Sequence, residues 1–123
     1  DLIQFIINND KDFSKFISNK KYNQVEFNKV KNVIIWGAGD TARSILNDSY
    51  FLKKYSIKVD FIVDTDAEMQ NKKINDISVF NPSSILKSNS HIIIASTACY
   101  KEIKDSLMSL GVKSSRLLDS IFF

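Results

Sequence analysis

One stretch constrains the fold of this chain more than any other: Val33-Ile34-Ile35-Trp36-Gly37-Ala38-Gly39-Asp40-Thr41-Ala42-Arg43. A short apolar run leads into G-x-G-x-x-A, and a helix-like continuation follows through Ile45 and Leu46. Strand, glycine turn and helix in that order make the first turn of a βαβ unit that holds a phosphate. Gly37 allows a tight exit from the strand, and Gly39 leaves room for a phosphate against bare backbone. Ala42 lets the helix pack close to the sheet. Backbone N–H groups at the helix start, from Ala38 through Asp40 and Thr41, then face an anion.

The rest of the chain repeats the alternation of strand and helix. The pattern predicts strands over Asn32–Trp36, Ile57–Asp64 and His91–Ala95, with a fourth over Arg116–Leu118. In the second strand Ile57, Val59, Phe61 and Val63 fall on one face and Ile62 on the other. Helices are predicted over Thr41–Ser49, with an extension through Tyr50-Phe51-Leu52, and over Tyr100–Leu110. The second of these has Ile103, Leu107 and Leu110 on one face and Gly111 as its stop. Ile77–Phe80 reads as a short extended piece, and Pro82 stands where a helix begins. Such alternation implies an α/β domain of three layers, a parallel sheet of about four or five strands between helices. Residues 1–30 differ: Leu2, Phe5, Ile6, Phe13, Phe16 and Ile17 recur at helical spacing. They read as an N-terminal helical segment, packed on the domain edge or acting as a linker or dimer contact, ahead of a domain over 31–123.

Composition narrows the class. The 123 residues suffice for one domain with its own core, and 44% hydrophobic with 25% charged residues is ordinary for a globular chain. No apolar run approaches the roughly 18–20 residues of a membrane span, and no secretory leader is evident, so a cytoplasmic setting is expected. The net charge of +3 comes from lysines scattered among asparagines and isoleucines, with no basic stripe interleaved with aromatics. It therefore points to no nucleic-acid partner. One cysteine, Cys99, excludes an internal disulfide, and one histidine, His91, leaves no ordinary nitrogen–sulfur metal site. Both read as structural, and Trp36 reads as sheet packing. The first residue is Asp1, so the chain looks like an excised piece of a longer protein.

Asp64 is the second anchor. It closes the second strand, where a carboxylate accepts hydrogen bonds from ribose hydroxyls and disfavours a 2′-phosphate. It lies 27 residues after Gly37, beyond the usual distance of about 20, and the excess fits an extended region around Asn47–Tyr55. Asp66 follows in the loop as a further candidate contact. Ser96 and Thr97 follow the third strand, where carboxyl ends line a ligand crevice, and they equally suit helix capping. Tyr100 and Lys104 have the spacing of a dehydrogenase pair by coincidence, on the wrong strand and with no substrate region after them. No Ser-His-Asp triad and no catalytic carboxylate pair is present, so catalytic residues are expected elsewhere.

The order of segments resembles the small Rossmann-like domains of bacterial glycan and surface-polysaccharide proteins. Val33–Ala42 is similar to their opening, and Phe61-Ile62-Val63-Asp64-Thr65-Asp66 to their GFIDDD segment. Lys73–Pro82 resembles K-x-I-x-G-I-P-V-x-x-P, except that Asp76 replaces Gly and Ser78 replaces Pro. Ile92–Ser96 with Tyr100–Ile103 resembles VIIAS…Y-x-E-I. Such domains front sugar acyltransferases, capsule dehydratases, and FkbM-type or sugar C-methyltransferases. The resemblance implies that Gly37, Ala38, Gly39 and Asp40 touch a diphosphate and Asp64 a ribose or base. It implies NAD(P) or a UDP-sugar as ligand, and a catalytic domain of the same longer chain as partner. Two other readings remain open: a fragment of an NAD-dependent oxidoreductase or epimerase, and a non-binding interaction module, in which the Ile121-Phe122-Phe123 tail is an interface.

Overall fold

A computed structural model describes residues 29–96 and 98–118. The expected N-terminal helices, Thr97 and the C-terminal tail lie outside these residues.

Val33 to Trp36 are all buried, as befits a strand covered on both faces. They form β1 (Asn32–Trp36), the middle of the sheet. On one side β1 pairs in parallel with β2 (Lys58–Val63), which pairs in parallel with β4 (Ile77–Phe80). On the other side it pairs in parallel with β5 (His91–Ile94), followed by β6 (Leu117–Leu118). A two-residue strand, β3 (Lys73–Ile74), adds antiparallel to β4, giving the order β3-β4-β2-β1-β5-β6. The four expected strands are all present, and the short strands β3 and β4 bring the sheet to six.

Alternation along β1 divides the core. Val33 and Ile35 face one cluster with Ile62, Val79 and Ile93, covered by Ala42 and Ile45 of α1 (Asp40–Asp48) and Leu52 of α2 (Tyr50–Lys54). Ile34 and Trp36 face a second cluster with Val63, Ile92 and Ile94. It is covered by Leu107 of α3 (Tyr100–Ser109) and by Ile85 of a 3-10 turn over Pro82–Lys87. The layers are those of a Rossmann-like α/β domain. Val30 is 1% exposed within the first cluster, so the packed unit includes that residue.

Four local expectations need correction. The pairing of β1 with β2 shifts register after Val33, leaving Asp60 unopposed as a bulge. Ile57 and Val59 therefore share the first cluster with Ile62, while Phe61 and Val63 turn to the second. Strict alternation would have aimed Asp60 to the same side as Ile62. The bulge instead leaves it exposed, where its carboxylate accepts from the Ser90 hydroxyl at 2.5 Å. The first predicted helix is two helices: Ser49 breaks the run with an extended backbone. Its N–H donates to the Ile45 carbonyl at 3.1 Å, ending α1, and its Oγ accepts from the Leu52 N–H at 3.3 Å, starting α2. The added helix accounts for the long spacing from Gly37 to Asp64. Leu110, expected on the buried face of α3, is 58% exposed because that helix has already ended at Ser109. The helix expected after Pro82 is only the 3-10 turn.

Candidate functional site

The strand order reverses at β1, which has later strands on either side, and such a switch point leaves a crevice outside the carboxyl ends. Three strand ends are tied there. The Gly37 N–H donates to the Val63 carbonyl, and the Ala95 N–H donates to the Trp36 carbonyl, both at 2.8 Å. Gly37 sits at φ +117°, and a Cβ on it would lie 3.4 Å from the backbone C and O of Ala95. The chain leaves β1 through a conformation that glycine alone adopts readily, with the Ala95 backbone close beside it.

Gly39 differs. Its backbone is extended at φ −107°, open to any residue, and a Cβ there would meet nothing within 4 Å. Neither conformation nor packing within the described residues requires a glycine. The space it leaves belongs to the crevice, whose volume is about 420 Å³. Helix α1 begins at the next residue with no side-chain cap. Its first-turn N–H groups, those of Asp40 and Thr41 included, therefore point outward without a side-chain acceptor.

Of the ten residues expected to contact a ligand, Gly37, Ala38, Gly39, Asp40, Thr41, Asp64 and Ser96 line this crevice together. Ala42 does not: it is fully buried behind the turn, holding α1 against the sheet. Asp66 does not either, because its Oδ1 accepts from the Glu68 N–H at 2.9 Å and shapes the following loop. Thr97 lies outside the described residues. The Ser96 Oγ accepts from the Cys99 N–H at 3.4 Å, so this hydroxyl turns the chain toward α3 while lining the crevice.

Asp64 has a role beyond the expected one. Its Oδ2 accepts from the Ala38 N–H at 2.8 Å and its Oδ1 from the Asp66 N–H at 2.8 Å. The carboxylate thus braces the glycine turn against the loop after β2, and the Gln70 amide donates to the Asp64 carbonyl at 2.9 Å from the same loop. The Ala38 N–H is used in this brace, which leaves Gly39, Asp40 and Thr41 as the donors nearest the open space. A carboxylate has about four lone-pair sites, so two remain for hydroxyl donors.

The far wall was not legible from the glycine motif. It consists of Ala95, Ala98, Cys99 and Ile103, between the end of β5 and the first turn of α3, with Trp36 also facing the crevice. Trp36 is nonetheless mostly buried in the second core cluster, as its packing role requires. Cys99, read as structural, is exposed on this wall. The signal for these residues lies in topology: whatever follows β5 must border the same switch point as the turn after β1. His91 lies at the opposite end of β5 beside a separate hollow with Lys29, Lys31 and Asp60. Tyr100 packs on the second core cluster, and Lys104 is exposed. No helix among the described residues is long and apolar enough to cross a membrane.

Fold and site together define a Rossmann-like domain with an open crevice at its switch point. Residues 29–118 match the family described as C2185-like, N-terminal, and the chain belongs to that family. None of the curated proteins matches. Among solved structures the chain is similar to RSP, a Rex-family repressor, at 20% identity and a TM-score of 0.60, covering 89% of this chain and 60% of that one. It is similar to RSP in complex with β-NAD+ and operator DNA at 20% identity and a TM-score of 0.59, covering 89% and 48%. It is also similar to the UDP-D-quinovosamine 4-dehydrogenase of Vibrio fischeri at 22% identity and a TM-score of 0.53, covering 73% and 77%. These likenesses are of fold. The chain spans less than two thirds of the repressor's length.

Proposed function

We propose that this chain is a nucleotide-binding domain, taking NAD(H) or a nucleotide-sugar. It presents that ligand to a catalytic domain of a longer protein of glycan or surface-polysaccharide assembly in the cytoplasm. The observation that carries the reading is Gly39: a glycine required by neither its backbone conformation nor its neighbours, opening a crevice beside a helix start without a side-chain cap. Phosphate oxygens accept from the N–H groups of Gly39, Asp40 and Thr41. Hydroxyls of a ribose reach the remaining lone pairs of Asp64. The proteins of similar fold include one solved with β-NAD+ and one acting on a UDP-sugar, which supports both ligand classes. The operator DNA in the first of these belongs to that repressor; here the lysines form no stripe, and no nucleic-acid contact is proposed.

The test is a thermal-shift series with NAD+, NADH, NADP+ and UDP-N-acetylglucosamine, repeated on Gly39→Trp. A Cβ at this position meets nothing within 4 Å and the side chain beyond it is directed at the crevice, so the variant is expected to fold with its crevice filled, which its own melting curve checks. At 100 times its Kd a ligand stabilises by about 2.7 kcal/mol, a rise of roughly 10 °C for a domain of this size. A rise that disappears in Gly39→Trp supports the reading. A folded wild-type protein that responds to none of the four contradicts it and leaves the interaction module.

A further inference from the structure

We propose that the aromatic face of α2 is the docking surface for this chain's own N-terminal segment, residues 1–28, which packs there as part of the domain. This holds whatever the crevice binds.

Burial on α2 is the first observation. Leu52 belongs to the first core cluster, under the helix. Its neighbour Phe51 is 2% exposed, yet it belongs to neither of the clusters that line the sheet. Successive helix residues point about 100° apart, so with Leu52 on the sheet Phe51 is turned to another side. Its ring stacks on Tyr55 at 6.1 Å and 7°, and meets Tyr50 edge-on at 5.3 Å. Both tyrosines are themselves only half-buried. Full burial of the ring between them therefore calls for a further apolar neighbour. Lys54 sets a cationic rim on this patch, its Nζ 5.8 Å from the Tyr50 ring centroid and 5.7 Å from that of Tyr55. Phe51, Lys54 and Tyr55 each hold an interaction beyond these, and so does Lys29, where the upstream chain joins.

The second observation is the point of entry. Val30 is buried in the first cluster together with Leu52 and Ile57. The Ile57 N–H donates to the Leu52 carbonyl, and the Lys58 N–H to the Lys31 carbonyl, both at 2.9 Å. These bonds tie the end of α2, through the start of β2, to the start of β1, so the chain before Lys29 arrives beside α2. Residues 119–123 start instead from the carboxyl end of β6, three strands from β2 and at the opposite end of the sheet. The chemistry of the upstream segment also fits. Phe13, Phe16 and Ile17 recur at helical spacing, as do Leu2, Phe5 and Ile6, and such a stripe needs an apolar surface to cover it. At five residues, roughly 7.5 Å, α2 is short enough for one stripe to span. A partner domain would then meet this one elsewhere than on α2.

The experiment is a nuclear Overhauser measurement on the full 123-residue chain, read from the Phe51 and Tyr55 rings, with trypsin cleavage at Lys15, Lys20 and Lys21 as a second readout. Contacts from these rings to apolar side chains of residues 1–28 in the same molecule are expected. Tyr55→Asp, at a half-buried position, puts a charge into the contact. Cleavage at the three lysines is expected to speed up about tenfold, as the docked form opens more often, while the β1 amide signals stay in place. Ring contacts confined to residues 29–123 would overturn the proposal. So would contacts to residues 1–28 found only between differently labelled copies, which would make the face a dimer contact, or cleavage that Tyr55→Asp leaves unchanged.

Discussion

At the scale of single residues, the two glycines of the turn have different jobs, and substitution separates them. Gly37→Ala places a Cβ 3.4 Å from the Ala95 backbone at a positive φ, so it is expected to destabilise by about 1–3 kcal/mol in urea unfolding. Gly39→Ala is expected to change stability by no more than about 1 kcal/mol, because the lost unfolded-state freedom is offset by alanine's poorer fit at a helix N-cap. The motif in the sequence announces both glycines alike; only φ and the surrounding space tell them apart. Asp64 shows the same limit. Its place at the end of β2 was legible, but its bond to the Ala38 amide joins residues far apart in sequence. That bond depends on how the turn and the strand end come together. His91 carries a pH signature. Burial, and then the charge of Arg116, hold its imidazole below the ordinary value of 6.5. The unfolded chain therefore takes up this proton first as pH falls below 6.5. Stability drops through that window and levels off below the native value. Stability measured against pH is expected to show this loss in the wild type and a shallower slope in His91→Gln.

At the scale of elements, the long regular segments were readable and their interruptions were not. β1 and β5 follow from unbroken apolar runs. The bulge at Asp60 arises where a polar residue interrupts an apolar strand, and the break at Ser49 where a buried hydroxyl caps the next helix. The turn between β3 and β4 places Asn75 and Asp76 at φ +50° and +66°, the left-handed pair of a tight hairpin turn in which asparagine followed by glycine is usual. Gly111 was read correctly as a helix stop. It lies at φ +87°, its N–H donates to the Met108 carbonyl, and the Val112 N–H donates to the Leu107 carbonyl, each at 3.0 Å. This is the Schellman arrangement, with Leu107 and Val112 packed in one cluster. Gly111→Ala is expected to cost about 1 kcal/mol with ligand binding unchanged, since only the other end of α3, which begins at Tyr100, lies beside the crevice.

At the scale of the whole molecule, the switch point at β1 organises the candidate site. It brings the glycine turn, the Asp64 brace and the apolar wall before α3 to one end of the sheet, and leaves His91 and the lysines around it at the other. The alternation of strands and helices made this architecture legible. The far wall was not, because its residues carry no motif and gain a role only from being next to β1. The measurement that tests the central claim most directly is an amide chemical-shift titration of the labelled protein with NAD+ and with UDP-N-acetylglucosamine. With one of them, the account expects the largest shifts at Gly39, Asp40, Thr41 and Asp64, extending to Ala98 and Ile103, with His91 and Lys31 unmoved. Shifts confined to the His91 end, or none at saturating concentrations of either ligand, would contradict it.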